Sequence, residues 1–123
     1  ISACLVGSEM CIRDSAFRQK APEVVEALCH QLTHSNAEGY AECCEALAAA
    51  DLRSEVGQIS VPTLIIAGES DPVTTVADAH FLHQQIPASQ VVVVSASHLS
   101  SIESPGAFSA ALLAFLQEGD RGR

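Results

Sequence analysis

Two residues of this 123-residue chain have the types and positions of an acid–base pair. Asp71 follows an apolar run from Thr63 to Ala67, and His98 follows a second apolar run from Val91 to Val94. A carboxylate bound to one imidazole nitrogen fixes the tautomer, so that the other nitrogen can take a proton from a nucleophile. The pair therefore predicts the acid and base of a hydrolytic triad. The alternative is a turn aspartate and a locally satisfied histidine, and the spacing alone favours neither.

The two apolar runs predict parallel strands joined by a helix. Thr75 and Asp78 have the spacing of a capping box at the start of this helix, and Pro87 is expected to end it. Continuous apolar runs on either side of a helix are typical of a right-handed βαβ unit with buried strands. The carboxyl ends of parallel strands meet at one edge, where open α/β sheets bind ligands. Asp71 and His98 are therefore expected within hydrogen-bonding reach, at about 2.6–3.2 Å.

Further helices are predicted on both sides of this unit. Pro22 suits the first position of one helix, Asn36 suits the cap of the next, and Asp51 is expected to cap a short third helix. The last helix is expected to start at Pro105 and to end at Gly119. Its predicted apolar stripe contains Phe108, Ala111, Leu112, Phe115 and Leu116.

Composition excludes several classes of protein. Six Lys and Arg residues against fifteen Asp and Glu give a net charge of −9, which argues against a nucleic-acid or anionic-membrane surface. No apolar run approaches the roughly 20 residues of a membrane span, and the N-terminus lacks the features of a signal peptide. We therefore expect a cytoplasmic domain that contacts neither nucleic acid nor membrane.

No metal or organic cofactor is expected. The odd number of cysteines, with no Cys-x-x-Cys, supports neither a disulfide framework nor a zinc site. His80 and His83 stand three apart on the predicted helix, but no third ligand lies near them, and an exposed helix face is the simpler interpretation. The five cysteines are Cys4, Cys11, Cys29, Cys43 and Cys44.

The amino-acid sequences of the two turn regions resemble those of a known family. The stretch VPTLIIAGESDPVTT and the stretch SHLSSIESP resemble the C-terminal section of α/β-hydrolases. Upstream, EGYAECCEALAAADLRSEVGQI looks like the end of the helical cap in 3-oxoadipate enol-lactonases. The resemblance covers roughly residues 16 to 118. It implies an α/β fold made of the end of the cap, the last two parallel strands and their flanking helices.

The resemblance also implies an activity. Enzymes of this family hydrolyse an enol-lactone in the β-ketoadipate pathway of aromatic catabolism, with His98 as the base and Asp71 as its partner here. The nucleophile is missing, because no Gly-x-Ser-x-Gly occurs in the sequence. The chain is therefore expected to be a C-terminal fragment, inactive alone, with its nucleophile and oxyanion hole upstream. Alternatives are another ester or carbon–carbon bond hydrolase of this fold, or a non-catalytic binding protein.

The expected organisation follows from this resemblance. Residues 1–15 match nothing that follows and are interpreted as foreign or disordered. Residues 16–60 are expected to form the end of the cap and the return to the sheet, and residues 61–118 the C-terminal βαβα section. Residues 119–123 are expected to be a tail. The expected partner is a small-molecule enol-lactone or ester, and the sequence does not indicate an oligomeric state.

Overall fold

The computed structural model describes residues 15–121, which form two compact units. The division falls between Asp51 and Leu52, and each unit is described by itself. We call residues 15–51 the helical unit and residues 52–121 the sheet unit. The interpretation of residues 1–15 as foreign falls, except for Ser15, outside the described residues.

The helical unit contains three helices, and the second and third start where the sequence predicts. They are α1 (Ser15–Lys20), α2 (Pro22–Thr33) and α3 (Ala37–Ala49). Pro22 occupies the first position of α2, as predicted. The Asn36 side chain caps α3 by accepting a hydrogen bond from the Gly39 amide at 2.9 Å, which confirms that cap. Val25 and Cys44 are buried apolar residues of this unit.

The sheet unit contains the predicted βαβ arrangement followed by helix. Its elements are a 3₁₀ helix (Val56–Gln58), β1 (Thr63–Gly68), α4 (Val76–Gln85), β2 (Ser89–Val94), α5 (Ser100–Glu103) and α6 (Pro105–Arg121). The two strands pair in parallel, from Thr63 opposite Ser89 to Gly68 opposite Val94. Both α4 and α6 pack against both strands. The carboxyl ends of the strands therefore share one edge, as the sequence predicts.

Helix α4 begins with the predicted capping box. The Thr75 hydroxyl accepts from the Asp78 amide, while the Asp78 carboxylate accepts from the Thr75 amide at 2.8 Å. The helix ends at Gln85, two residues before Pro87. Ala79 in this helix and Ile86 directly after it are buried. This rigid crossover fixes where the second strand begins.

Three local predictions are wrong. Asp51 does not start an α-helix: the Leu52 carbonyl accepts from the Glu55 and Val56 amides, and only a short 3₁₀ turn follows. Gly119 does not end the last helix, which continues to Arg121. A glycine stops a helix by adopting a left-handed conformation, and no glycine among residues 15–121 has a positive φ. The apolar pattern of the helix after Asp71 predicts that Phe81 faces inward, but this side chain is 39% exposed.

The sheet unit buries few large side chains completely. None of the described side chains falls below 2% exposure, and half of Leu116 on the predicted stripe of α6 is exposed. Large apolar residues exposed in this unit are Leu52, Val61, Phe81, Val93, Ile102, Leu112, Leu113 and Leu116. The stripe therefore meets the strands along only part of its width.

None of the helices formed by residues 15–121 combines the length and the apolar character that crossing a membrane requires.

Candidate active site

Asp71 lies in the turn after β1, where its carboxylate is held at both oxygens. Its Oδ1 accepts hydrogen bonds from the amides of Val73 at 2.8 Å and Thr74 at 3.1 Å. Its Oδ2 accepts from the Thr74 hydroxyl at 2.6 Å. Only 4% of the side chain is exposed. The turn therefore holds a buried carboxylate in one orientation.

His98 follows β2 and meets this carboxylate. Its Nδ1 lies 2.9 Å from Asp71 Oδ2, within the range expected from the sequence. With Asp71 ionised, Nδ1 carries the hydrogen and donates it, which leaves Nε2 as the basic nitrogen. The His98 side chain is 34% exposed, so a reacting group can approach it. The predicted proximity of the two side chains is confirmed.

The surroundings of Asp71 keep it ionised. Burial by itself raises the pKa of this carboxyl. The hydrogen bonds from the Thr74 hydroxyl, the Val73 amide, His98 and the Thr74 amide together outweigh burial and hold the pKa below its ordinary value of 3.8. At neutral pH the imidazole therefore faces a carboxylate, which would stabilise a positive charge on His98.

A close backbone approach places the histidine turn over the end of β1. A Cβ on Gly68 would overlap the Ser97 carbonyl oxygen and lie 2.8 Å from that of Ala96. The Glu69 amide donates to the Val94 carbonyl, and the Ser70 amide donates to the Ala96 carbonyl at 3.0 Å. The turn that carries His98 is thus fastened directly to the turn that carries Asp71.

Glu103 anchors the same turn from the other side. Its Oε2 accepts a hydrogen bond from the Ser97 amide at 2.7 Å. The position of Glu103 just before the Ser104–Pro105 helix start favours a solvated side chain, so the sequence does not predict this contact. Glu103 is the last residue of the short helix α5, which starts at Ser100. No local signal points to this contact, because Ser97 and Glu103 are six residues apart and the amide is partly buried.

The histidines of α4 are not brought together with the acid–base pair. His83 Nδ1 lies 2.9 Å from the Ser89 hydroxyl, which itself donates to the Ile86 carbonyl at 2.7 Å. This contact joins the end of α4 to the start of β2. Within residues 15–121, no group of three or more His, Cys, Asp or Glu side chains is placed to hold a metal ion.

Comparison with known proteins gives the family. Residues 30–105, more than half of the chain, match the model of the alpha/beta hydrolase fold family. This chain is an α/β-hydrolase. The predicted fold class is confirmed, and the Asp71–His98 pair lies inside the matched segment.

The curated relatives of this α/β-hydrolase include lactonases. It is 52% identical over 101 residues to 3-oxoadipate enol-lactonase 2 of Acinetobacter baylyi, covering 82% of this chain and 38% of the relative. It is 47% identical over 92 residues to 3-oxoadipate enol-lactonase 1 of the same organism, covering 75% of this chain and 35% of the relative. The chain thus spans less than two fifths of the length of these relatives.

Solved structures give the same fold. The enol-lactonase from Burkholderia xenovorans LB400 superposes with a TM-score of 0.82 at 38% identity, over 85% of this α/β-hydrolase chain and 40% of that one. A hydrolase from Pseudomonas aeruginosa PA01 gives a TM-score of 0.77 at 37% identity, over 82% of this chain and 38% of that one. These likenesses confirm the predicted resemblance to enol-lactonases.

Proposed function

We propose that this chain supplies the histidine and the aspartate of the catalytic triad of a serine hydrolase that opens an enol-lactone, as the C-terminal part of a 3-oxoadipate enol-lactonase. The contact between His98 Nδ1 and Asp71 Oδ2 carries the proposal, because it prepares His98 Nε2 as a general base. The 52% identity to an enol-lactonase supports the substrate class.

The proposed reaction needs a serine from the part of the protein upstream of this chain. His98 Nε2 takes the serine hydroxyl proton as the oxygen attacks the lactone carbonyl, and the ring C–O bond breaks. The proton on Nε2 passes to the departing enol oxygen. Water then loses a proton to the same nitrogen as its oxygen attacks the acyl-serine carbonyl. The bond between the acyl carbon and the serine oxygen breaks, and the proton on Nε2 returns to that oxygen, while Asp71 stabilises each imidazolium.

The proposed setting is the β-ketoadipate pathway of aromatic catabolism in the cytoplasm, with neither a metal nor an organic cofactor. Residues 16–60 would form the end of the cap, which selects the substrate, and the return to the sheet. A second hydrolase candidate follows from another solved structure, named as an N-acyl homoserine lactone degrading enzyme, with a TM-score of 0.65 at 27% identity over 80% of this chain. That likeness keeps other lactones among the substrates to be assayed.

A chimera tests the proposal. Residues 16–123 replace the matching segment of 3-oxoadipate enol-lactonase 2 of Acinetobacter baylyi, which supplies the upstream part. We expect the chimera to hydrolyse the 3-oxoadipate enol-lactone faster than an acyl homoserine lactone or a simple ester. His98→Ala and Asp71→Asn should each lower kcat by about a thousandfold or more.

His80→Ala is the matched control, because His80 is an exposed histidine of the same unit. This variant should keep the rate of the chimera. Near-normal turnover in folded His98→Ala or Asp71→Asn chimeras would overturn the assigned roles. A folded chimera that prefers the acyl homoserine lactone would overturn the substrate class and leave the acid–base pair in place.

A further inference from the structure

Thr74 contacts both members of the acid–base pair. Its hydroxyl oxygen lies 2.6 Å from Asp71 Oδ2 and 3.4 Å from His98 Nδ1. The same residue donates its backbone amide to Asp71 Oδ1 at 3.1 Å. Thr74 thus binds both carboxylate oxygens from a position three residues along the chain, at the edge of the imidazole.

We propose that Thr74 is a positioning residue of the proposed hydrolase, whose hydroxyl fixes Asp71 Oδ2 against His98 Nδ1. The assignment of hydrogens supports this role. An ionised carboxylate can only accept, so the Thr74 hydrogen lies on the 2.6 Å contact to Oδ2. The lone pairs of the hydroxyl oxygen are then available to the Nδ1 hydrogen, which is shared between Oδ2 at 2.9 Å and Thr74 at 3.4 Å.

The Thr74 hydroxyl binds the carboxylate oxygen of Asp71 that the backbone amides leave unbound. Two amides hold Oδ1, but Oδ2 receives no backbone hydrogen bond among the described contacts. Without the Thr74 hydroxyl, His98 alone would hold Oδ2, and only the two amides at Oδ1 would restrict rotation of the carboxylate about its Cβ–Cγ bond. Groups that are oriented before charge develops cost no reorganisation during the reaction. Because His98 becomes charged during the chemical step, loss of the hydroxyl should affect kcat more than KM.

The inference rests on the proposed function and is tested in the same chimera. Thr74→Val keeps the branched shape and removes the hydroxyl, whereas Thr74→Ser keeps the hydroxyl. We expect Thr74→Val to lower kcat about tenfold, the loss typical of one hydrogen bond to a charged group, with KM within about twofold. Thr74→Ser should recover most of kcat. An unchanged kcat in Thr74→Val, or an equal loss in both variants, would overturn the role.

A control separates positioning from stability. Thr75→Ala removes the cap of α4 at the neighbouring residue, so it should lower the melting temperature of the chimera while kcat stays within about twofold. Turnover that survives His98→Ala would reject the proposed function rather than the role of Thr74.

The role of Thr74 also has a readout that needs no turnover. The Thr74 hydroxyl is the largest of the contacts that lower the pKa of Asp71. Carbon-13 NMR titration of the Asp71 carboxyl should therefore give a higher midpoint in Thr74→Val and an unchanged one in Thr74→Ser. The same midpoint in all three proteins would contradict the proposal, whether or not the chimera is active.

Discussion

The α-carbon of Gly68 faces the Ser97 carbonyl oxygen so closely that no side chain fits between them. Gly68→Ala should therefore push away the turn that carries His98, because its clash is with backbone that cannot rotate aside. We expect the variant chimera to lose about 1–3 kcal/mol in free energy of unfolding, measured with urea, together with most of its turnover. Gly106→Ala is the matched control.

That control is chosen for its open surroundings. A Cβ on Gly106 would meet nothing within 4 Å, and the residue lies in the first turn of α6. Alanine should leave stability unchanged or slightly raised there. If Gly68→Ala and Gly106→Ala changed the free energy of unfolding equally, the crowding at Gly68 would have no energetic consequence.

Glu103 should matter through the Ser97 amide. Glu103→Ala leaves that partly buried amide without its acceptor, which costs about 1–3 kcal/mol and loosens the turn before His98. Glu103→Gln keeps an oxygen that can accept the hydrogen bond, so the variant should lose less free energy of unfolding and less kcat than Glu103→Ala. Urea unfolding and kcat of the two chimeras check this ordering. The same kcat in wild type and Glu103→Ala would mean that the anchor is dispensable for the chemistry.

Asp71 should make stability depend on acid pH. Its folded pKa lies below the ordinary value of 3.8, so its charge stabilises the folded state above that value. As pH falls below 3.8, the unfolded chain takes up the proton first, and this contribution is lost as pH passes the folded pKa. The unfolding free energies of the wild-type and Asp71→Asn chimeras should therefore converge as pH falls below 3.8.

The control for this pH dependence is Asp78→Asn. The hydroxyl and amide of Thr75 also hold the pKa of Asp78 below its ordinary value, in the same pH range. Asp78→Asn should thus remove a separate part of the acid dependence and leave that of Asp71 in place. Urea titrations between about pH 2 and 6 measure both contributions to the free energy of unfolding. Parallel plots of this free energy against pH for wild type and Asp71→Asn would contradict the contribution assigned to Asp71.

The chain assayed alone should hydrolyse neither lactone nor simple ester above background. His98 needs a nucleophile, and the sequence holds no Gly-x-Ser-x-Gly. We further expect the isolated chain to bind a hydrophobic dye and to melt without a sharp transition, because Val93, Leu113 and Leu116 are exposed. Calorimetry and dye fluorescence test this, and a cooperative, dye-free monomer would contradict it.

The sequence predicts the parts of the fold that depend on local chemistry. Both strands are apolar runs, the Thr75–Asp78 box is a four-residue signal, and Pro22 and Pro105 occupy first positions of helices as their fixed φ angle favours. The proximity of Asp71 and His98 was also predictable. It follows once the strands are parallel, because parallel strands end at the same edge.

Contacts that depend on packing could not be predicted. Glu103 reaches the Ser97 amide only because the chain forms the short helix α5, which shows no amphipathic period in four residues. The roles of Gly68 and Thr74 depend on how two turns cross, and neither residue type identifies such a crossing in advance. Gly119 is the residue type that usually ends a helix, but the helix continues past it to Arg121.

The parallel register sets the distance between acid and base. Gly68 pairs with Val94, so Asp71 and His98 are each only a few residues beyond one fixed rung of the ladder. A slip of β2 by one residue would carry His98 about 3.3 Å along the strand and exchange the faces of its side chains. A change in the length of the crossover after Thr74 could therefore leave the pair in place, whereas one residue inserted between Val94 and His98 would separate it.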